Sequence, residues 1–415
     1  MLRLMIFMCF FLHPGQLTAR CRWGKIEENR REKGLIHLGE TLAAPLPGAE
    51  AAAGPRKRLY SIDIAKGILI LEVVLGHAWF AKAGAVNHWF PYSMPAFFML
   101  AGYVYKPGRT YLQNMGRRAL QLLVPYLFFS IYCNLLYPLY ARLAAAPPDP
   151  DAIRNLWFAT LKSDALNMMM STPMWFLTSL FTASIVFFAL ADRVRKSALW
   201  TGVSVAALVG LTLVIEVVKK GAFVPWHLDY ALFGCAMMLV GAYLGQRRLF
   251  TTFSLKNVIL GVVLLAAALA LNEVFPVGKT SVVKYIANEK LYGVLTNFAI
   301  AVIGSVGLLC FCTLLEKIPV LRPVLCWLGR NSLWILCIHY SAIMIIELWL
   351  FNHKVLSNSL IQVVMKEMYG WGYVVDKPKD IVVKVLVAFA SIGVSAIYAV
   401  IHNAVKKAVK KRRAA

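Results

Sequence analysis

From Leu59 onward the chain alternates between long apolar runs and short polar breaks, with runs at about residues 59–81, 88–105, 119–141, 174–191, 199–218, 228–246, 257–275, 291–315, 332–351 and 382–404. Each is near the roughly 20 residues a helix needs to cross a hydrocarbon core of about 30 Å. Inside such a core a backbone satisfies its own N–H and C=O groups only as a helix or a closed barrel, and runs of this length select the helix. The pattern predicts an all-α polytopic membrane bundle of about ten transmembrane helices. No internal repeat accompanies the runs, so no repeat architecture is expected.

The polar breaks differ in charge. Arg56, Lys57, Arg58, Lys106, Arg109, Arg117, Arg118, Arg193, Arg195, Lys196, Arg247, Arg248, Lys256, Lys317, Arg322 and Arg330 all fall on one side of the alternating topology, as does the tail Lys406, Lys407, Lys410, Lys411, Arg412 and Arg413. The positive-inside bias puts that side, and both termini, in the cytoplasm. Three regions follow: a weakly ordered N-terminal extension at 1–55, a membrane domain at 56–404 and a basic cytoplasmic tail at 405–415. The extension opens on an apolar stretch too short to span, without a clean signal-cleavage pattern.

Composition narrows the class. Of 415 residues 60% are apolar or aromatic and 15% charged, against about 45–50% and about 25% in soluble domains. The formal net charge of +24 sits in short clusters between apolar runs rather than on one soluble face, so no nucleic-acid partner is expected. The eight cysteines form no CxxC pair, and Cys310 and Cys312 point to different sides of a helix. Neither a disulfide framework nor a metal site is expected.

Candidate chemistry concentrates in the first run, which holds Asp63, Lys66, Glu72 and His77. Four ionisable groups in one span are costly in hydrocarbon and are expected to face a polar cavity or partner helices. Lys66 and His77, eleven residues apart, return to within about 20° of one face, roughly 16 Å apart along the axis. Asp63 precedes Lys66 by three residues and can pair with it. Glu72 lies about 140° around the helix from His77 and is expected to meet another helix. Whatever fixes the His77 tautomer must come from elsewhere in the bundle. The next stretch, Ser93-Met94-Pro95 to Gly102-Tyr103, runs into a loop with Lys106, Arg109, Arg117 and Arg118, whose guanidinium groups suit phosphate as well as topology.

The order Arg58, Asp63-x-x-Lys66-Gly67, Gly76-His77, then Met94-Pro95 to Gly102-Tyr103, Arg117-Arg118, Pro125-Tyr126, Trp175-Phe176-Leu177, and Leu328-Gly329-Arg330-Asn331-Ser332 with His339 resembles the acyltransferase-3 family of integral membrane O-acyltransferases. The nearest flavour is its fucose 4-O-acetylase-like and polysaccharide O-acetyltransferase members. The resemblance covers about residues 56–404. It implies transfer of an acyl group, usually acetyl, from cytoplasmic acyl-CoA to a hydroxyl of a cell-envelope glycan or lipid-linked sugar, in the bacterial cytoplasmic membrane, with no permanently bound cofactor and with membrane lipid as the surrounding partner.

The family's basic residue and histidine separated by ten positions fall on Lys66 and His77. Lys66 stands where the family often has Arg, which keeps the charge and loses the bidentate fork. The family's Arg-x-x-Arg pair falls on Arg118 and Gln121, so its second member is missing, and Arg117 is the candidate to compensate. On this reading neutral His77 is the general base on the acceptor hydroxyl, Lys66 and Arg118 hold CoA, and Asp63 positions Lys66. Tyr103, Trp175 and Asn331 are the candidates for the oxyanion partner. His339 reads either as a second cavity histidine or as a helix-helix hydrogen bond. Trp226, His227 and Asp229 stand at the opposite membrane face as candidate acceptor contacts or plain anchors, and Glu216 is expected to reach water. The rival class is a secondary transporter or flippase with Lys66, Glu72 and His77 as a proton relay, against which stands the absence of internal symmetry.

Overall fold

A computed structural model describes residues 59–78, 90–143, 150–165, 167–219, 222–275, 291–357 and 378–414, and each apolar run within them is helical. The extension 1–55, His88 and most of the segment 352–381 lie outside the described residues. In chain order the α-helices are α1 (Tyr60–Ala78), α2 (Ser93–Tyr103), α3 (Tyr111–Leu143), α4 (Pro150–Lys162), α5 (Trp175–Val194), α6 (Ala198–Lys219), α7 (Leu228–Gln246), α8 (Leu255–Val274), α9 (Leu291–Leu315), α10 (Leu321–Asn352) and α11 (Pro378–Ala414). Short 3-10 helices, Met169–Met174 and Pro225–His227, lead into α5 and α7. The described residues contain no strand, and the chain is an all-α polytopic membrane bundle.

Among the described residues eight helices are long and apolar enough to cross a membrane. The two remaining runs are special. The first, α1, carries Asp63, Lys66 and Glu72 within its 19 residues. The second, α2, is 11 residues long, about 16 Å at 1.5 Å per residue, and so falls short of a full hydrocarbon core. The segment between α3 and α5, which the apolar pattern leaves as loop, contains the amphipathic α4, with Leu156, Ala159 and Thr160 buried.

Two helices begin well before their apolar runs. Thr110 and Gln113 form a reciprocal capping box: Thr110 Oγ1 accepts from the Gln113 N–H at 3.3 Å, and Gln113 Oε1 accepts from the Thr110 N–H at 3.2 Å. Two otherwise orphaned donors are satisfied, so α3 starts at Tyr111 rather than near 119. Arg117 and Arg118 therefore ride on a helix, not in a loop. Likewise α10 starts at Leu321 because Pro323 falls in its first turn, where a missing N–H costs nothing. Gly329, Arg330 and Asn331 are thereby helical.

The centre of the bundle is α7, whose span is 78% buried against 22% for α6 and 17% for α8, which face outward. α1 packs parallel to α10. A methyl group on Gly67 would collide with the Leu325 carbonyl, and one on Gly329 with that of Asp63, so the backbones touch where only glycine allows it. Farther along, the same two helices meet through the rings of His77, His339 and Tyr340. All the basic clusters named above that the structure describes gather at the end of the bundle holding the α1 N-terminus, called here the basic end.

Candidate active site

His77 stands one residue from the end of α1, at the side of the bundle away from the basic end, and keeps part of its surface exposed. Its ring centroid is 5.4 Å from that of His339, at a 39° tilt, and 5.1 Å from that of Tyr340, which meets it edge-on. His339 is fully buried and Tyr340 is 4% exposed. Nδ1 of His339 lies 2.8 Å from the Ile335 carbonyl one turn back, while its Nε2 has no hydrogen-bond partner among the described residues. Among the described residues His339 therefore makes no helix-helix hydrogen bond. The histidine bonds its own helix, and its free nitrogen stands in the His77 cluster.

Glu72 belongs elsewhere. It is buried, and Ser93 Oγ on α2 donates to its Oε2 at 2.5 Å. The 140° turn away from His77 predicts this contact with another helix. Lys66, Glu72 and His77 consequently do not form one line on α1. Asp63 and Lys66 are both half-buried in the basic half of α1, with Lys66 about 16 Å below His77 along the axis.

Arg118 is half-buried between helices, its Nε donating to Ser184 Oγ on α5 at 3.0 Å. Its other N–H groups have no acceptor among the described residues. Arg117 is exposed and about 100° away around α3, so it does not join Arg118 on the same face. Phe129 on α3 lies beside Trp334 on α10, with ring centroids 6.3 Å apart. The eleven residues back from Phe129 to Arg118 and the five on from Trp334 to His339 separate the guanidinium from the histidines by about 24 Å along the bundle. Lys66 falls between these levels.

Of the three candidates for an oxyanion partner, Tyr103 is held at the basic end and Asn331 lies eight residues, about 12 Å, before His339 on α10. The Tyr103 hydroxyl donates to the Leu249 carbonyl at 2.8 Å and lies 3.2 Å from Thr251 Oγ1, which ties α2 to the α7–α8 turn at the basic end. Asn331 donates to the Trp327 carbonyl at 2.9 Å, and Asn403 on α11 reaches its Oδ1 at 3.4 Å. Trp175 packs against Phe176, His227 and Tyr230.

The cluster at the start of α7 is a fastening. Trp226 Nε1 donates to the Leu161 carbonyl at 3.0 Å, and His227, buried, lies with Nε2 2.8 Å from the Ser163 carbonyl. Both residues are left-handed, at φ 57° and 50°, a strain that persists only where contacts over-determine it. Asp229 bonds Lys219 Nζ, and Glu216, instead of reaching water, pairs with the same Nζ at 2.7 Å, joining α6 to α7. At the basic end Tyr105 donates to Asp192 at 3.0 Å, and burial followed by that carboxylate pushes the phenol up to about 12, so it remains a donor.

Tyr340 is the residue the sequence reading passed over. Seven residues beyond it on the same face is Glu347, 1% exposed, and Tyr140 on α3 is likewise buried with its hydroxyl unpartnered among the described residues. An acid inside an apolar run, placed seven residues after a tyrosine that follows a histidine, was the available signal. Among the described residues no group of three or more His, Cys, Asp or Glu side chains could hold a metal ion.

A family model, acyltransferase-3, described as an acyltransferase domain, matches residues 59–400. The nodulation protein NolL of Mesorhizobium japonicum is 34% identical over 100 residues, 21% of this chain and 26% of that protein. NolL of Sinorhizobium fredii is 31% identical over 121 residues, 26% of this chain and 32% of that protein. The matched segments thus span about a quarter to a third of these curated relatives. No solved structure gives a significant match.

Proposed function

The chain belongs to the acyltransferase-3 family, and from that premise we propose that it moves an acyl group, acetyl in the first instance, from cytoplasmic acyl-CoA to a hydroxyl of a cell-envelope glycan or lipid-linked sugar. The observation that carries this reading is the position of His77: partly exposed, at the end of a charged helix, and backed by two buried rings. The basic end, with both chain termini, faces the cytoplasm of a bacterial membrane and admits the donor. Arg118, with N–H groups left over after Ser184, and Lys66 above it hold donor phosphates or pantetheine amides, with Asp63 beside Lys66. The thioester then extends toward His77.

Neutral His77 removes the proton from the acceptor hydroxyl as its oxygen attacks the thioester carbonyl. The new C–O bond forms, the C–S bond breaks, and the imidazolium returns the proton to the departing thiolate. No acyl-enzyme and no permanently bound cofactor take part. The test is purified protein in lipid with [14C]acetyl-CoA and methyl fucoside as a soluble sugar acceptor. Label is expected in the glycoside, together with saturable binding of acetyl-CoA. Protein that binds no acetyl-CoA and labels no hydroxyl acceptor overturns the reading.

A further inference from the structure

His339 is too buried to touch a substrate, yet one of its nitrogens is left open in the corner it shares with His77 and Tyr340. The partner of its Nδ1 is a carbonyl oxygen 2.8 Å away, which carries only lone pairs, so Nδ1 must hold the proton. A proton on Nε2 as well would need an acceptor, and that atom has none among the described residues. Nε2 is therefore a lone pair, fixed in place by a helical carbonyl and by complete burial. The neighbouring ring is His77, with centroids 5.4 Å apart, held from another side by the edge of Tyr340.

We propose that His339 is a positioning residue whose Nε2 accepts one N–H of His77, so that the other nitrogen of His77 presents its lone pair on the exposed side. A small rotation of the His77 ring completes this bond, and catalytic hydrogen bonds are commonly long before substrate arrives. The logic is that of any base oriented by a third group, with an imidazole in place of the usual carboxylate. His339 keeps its own proton throughout. The acceptor's proton moves only to His77 and then to the thiolate, and the hydrogen bond from His77 to His339 steadies the imidazolium between the two events. An uncharged orienter suits this corner, because an isolated carboxylate there would itself need compensation. The catalytic use of this arrangement rests on the acyl-transfer reading. The arrangement itself does not.

The first test needs no activity. In protein reconstituted in lipid with 15N-labelled histidine, the His77 signals, assigned by their loss in His77→Asn, are expected to report a single neutral tautomer; a mixture of both in the native protein overturns the proposal. In His339→Phe, which keeps a ring and removes the acceptor, the second tautomer is expected to appear, and an unchanged His77 spectrum in folded protein overturns it equally. The kinetic arm uses [14C]acetyl-CoA and methyl fucoside. His339→Phe is expected to lower kcat about 100-fold with the donor KM within about twofold. His339→Gln, whose amide oxygen falls near the lost Nε2, is expected to restore kcat to within about tenfold. A glutamine variant as slow as the phenylalanine one, although folded, counts against the role. Should native protein transfer no label, the 15N spectra still decide the pairing, so the two readings fail separately.

Discussion

The α2–α7 and α1–α10 contacts use the same device and end differently. In both, parallel helices press backbone against backbone at glycines. Along α2–α7 this continues for the whole contact: a methyl group on Gly102 would meet the Met238 carbonyl, and one on Gly241 that of Met99. The α7 residues along it are apolar, with Ala236, Met237, Met238 and Leu239 fully buried. Along α1–α10 the glycines close only the basic half. Beyond them the helices are held at ring distance by His77, His339 and Tyr340. Small residues set the approach in both pairs, but only the second brings two histidine rings together between its helices. In a bundle without a hydrophobic drive between helices, tight glycine contacts supply rigidity, and α1–α10 uses the end of such a contact to hold a base.

That contrast breaks first at Gly102. Gly102→Val is expected to cost about 3 kcal/mol through overpacking against backbone, read as a lowered unfolding midpoint in lipid, whereas side-chain changes in the His77 cluster should alter transfer far more than stability. Next, Ser93→Ala removes one of the donors to buried Glu72, the Tyr92 hydroxyl remaining, and is expected to cost about 2 kcal/mol of stability with kcat unchanged per folded molecule. A fall in kcat at native stability would move Glu72 into the active site. Arg118→Ala is expected to raise the acetyl-CoA KM about tenfold, or about 1.4 kcal/mol, with kcat nearly constant, while Arg117→Ala changes neither; an unmoved KM in the first variant removes Arg118 from the donor site. Smallest is Thr110→Ala, expected to cost about 1 kcal/mol by opening the capping box, with acetyl-CoA binding to folded protein retained.

Much of the fold was legible in the sequence because span length and hydropathy dictate helices in a membrane whatever their neighbours are. Within the described residues each of the ten runs forms a helix, and Glu72 meets another helix as its angle around α1 requires. What failed were the boundaries. The α3 start depends on a two-residue hydrogen-bond exchange at Thr110 and Gln113 that hydropathy does not register. The same oversight placed Arg117 and Arg118 together in a loop, whereas a helix separates them. Within the candidate site, His77 could be singled out because a charged helix stands out in an apolar chain. His339 could be named as a candidate second cavity histidine, but its contact with His77, and the part of Tyr340, could not be read, since both lie far away in sequence and come to His77 only through the parallel packing that Gly67 and Gly329 permit. Tyr103, Trp175 and Asn331 were chosen for their chemistry, and what each touches, the Leu249 carbonyl, the His227 ring and the Trp327 carbonyl, is set by tertiary packing that the sequence does not display.

The most direct measurement compares native protein with His77→Ala, reconstituted in lipid at matched amounts, for transfer of label from [14C]acetyl-CoA to methyl fucoside and for acetyl-CoA binding. Loss of the base predicts transfer reduced about 1,000-fold, with donor binding and folded yield preserved. Transfer by the variant at the native rate would contradict the assignment of His77 and the mechanism built on it.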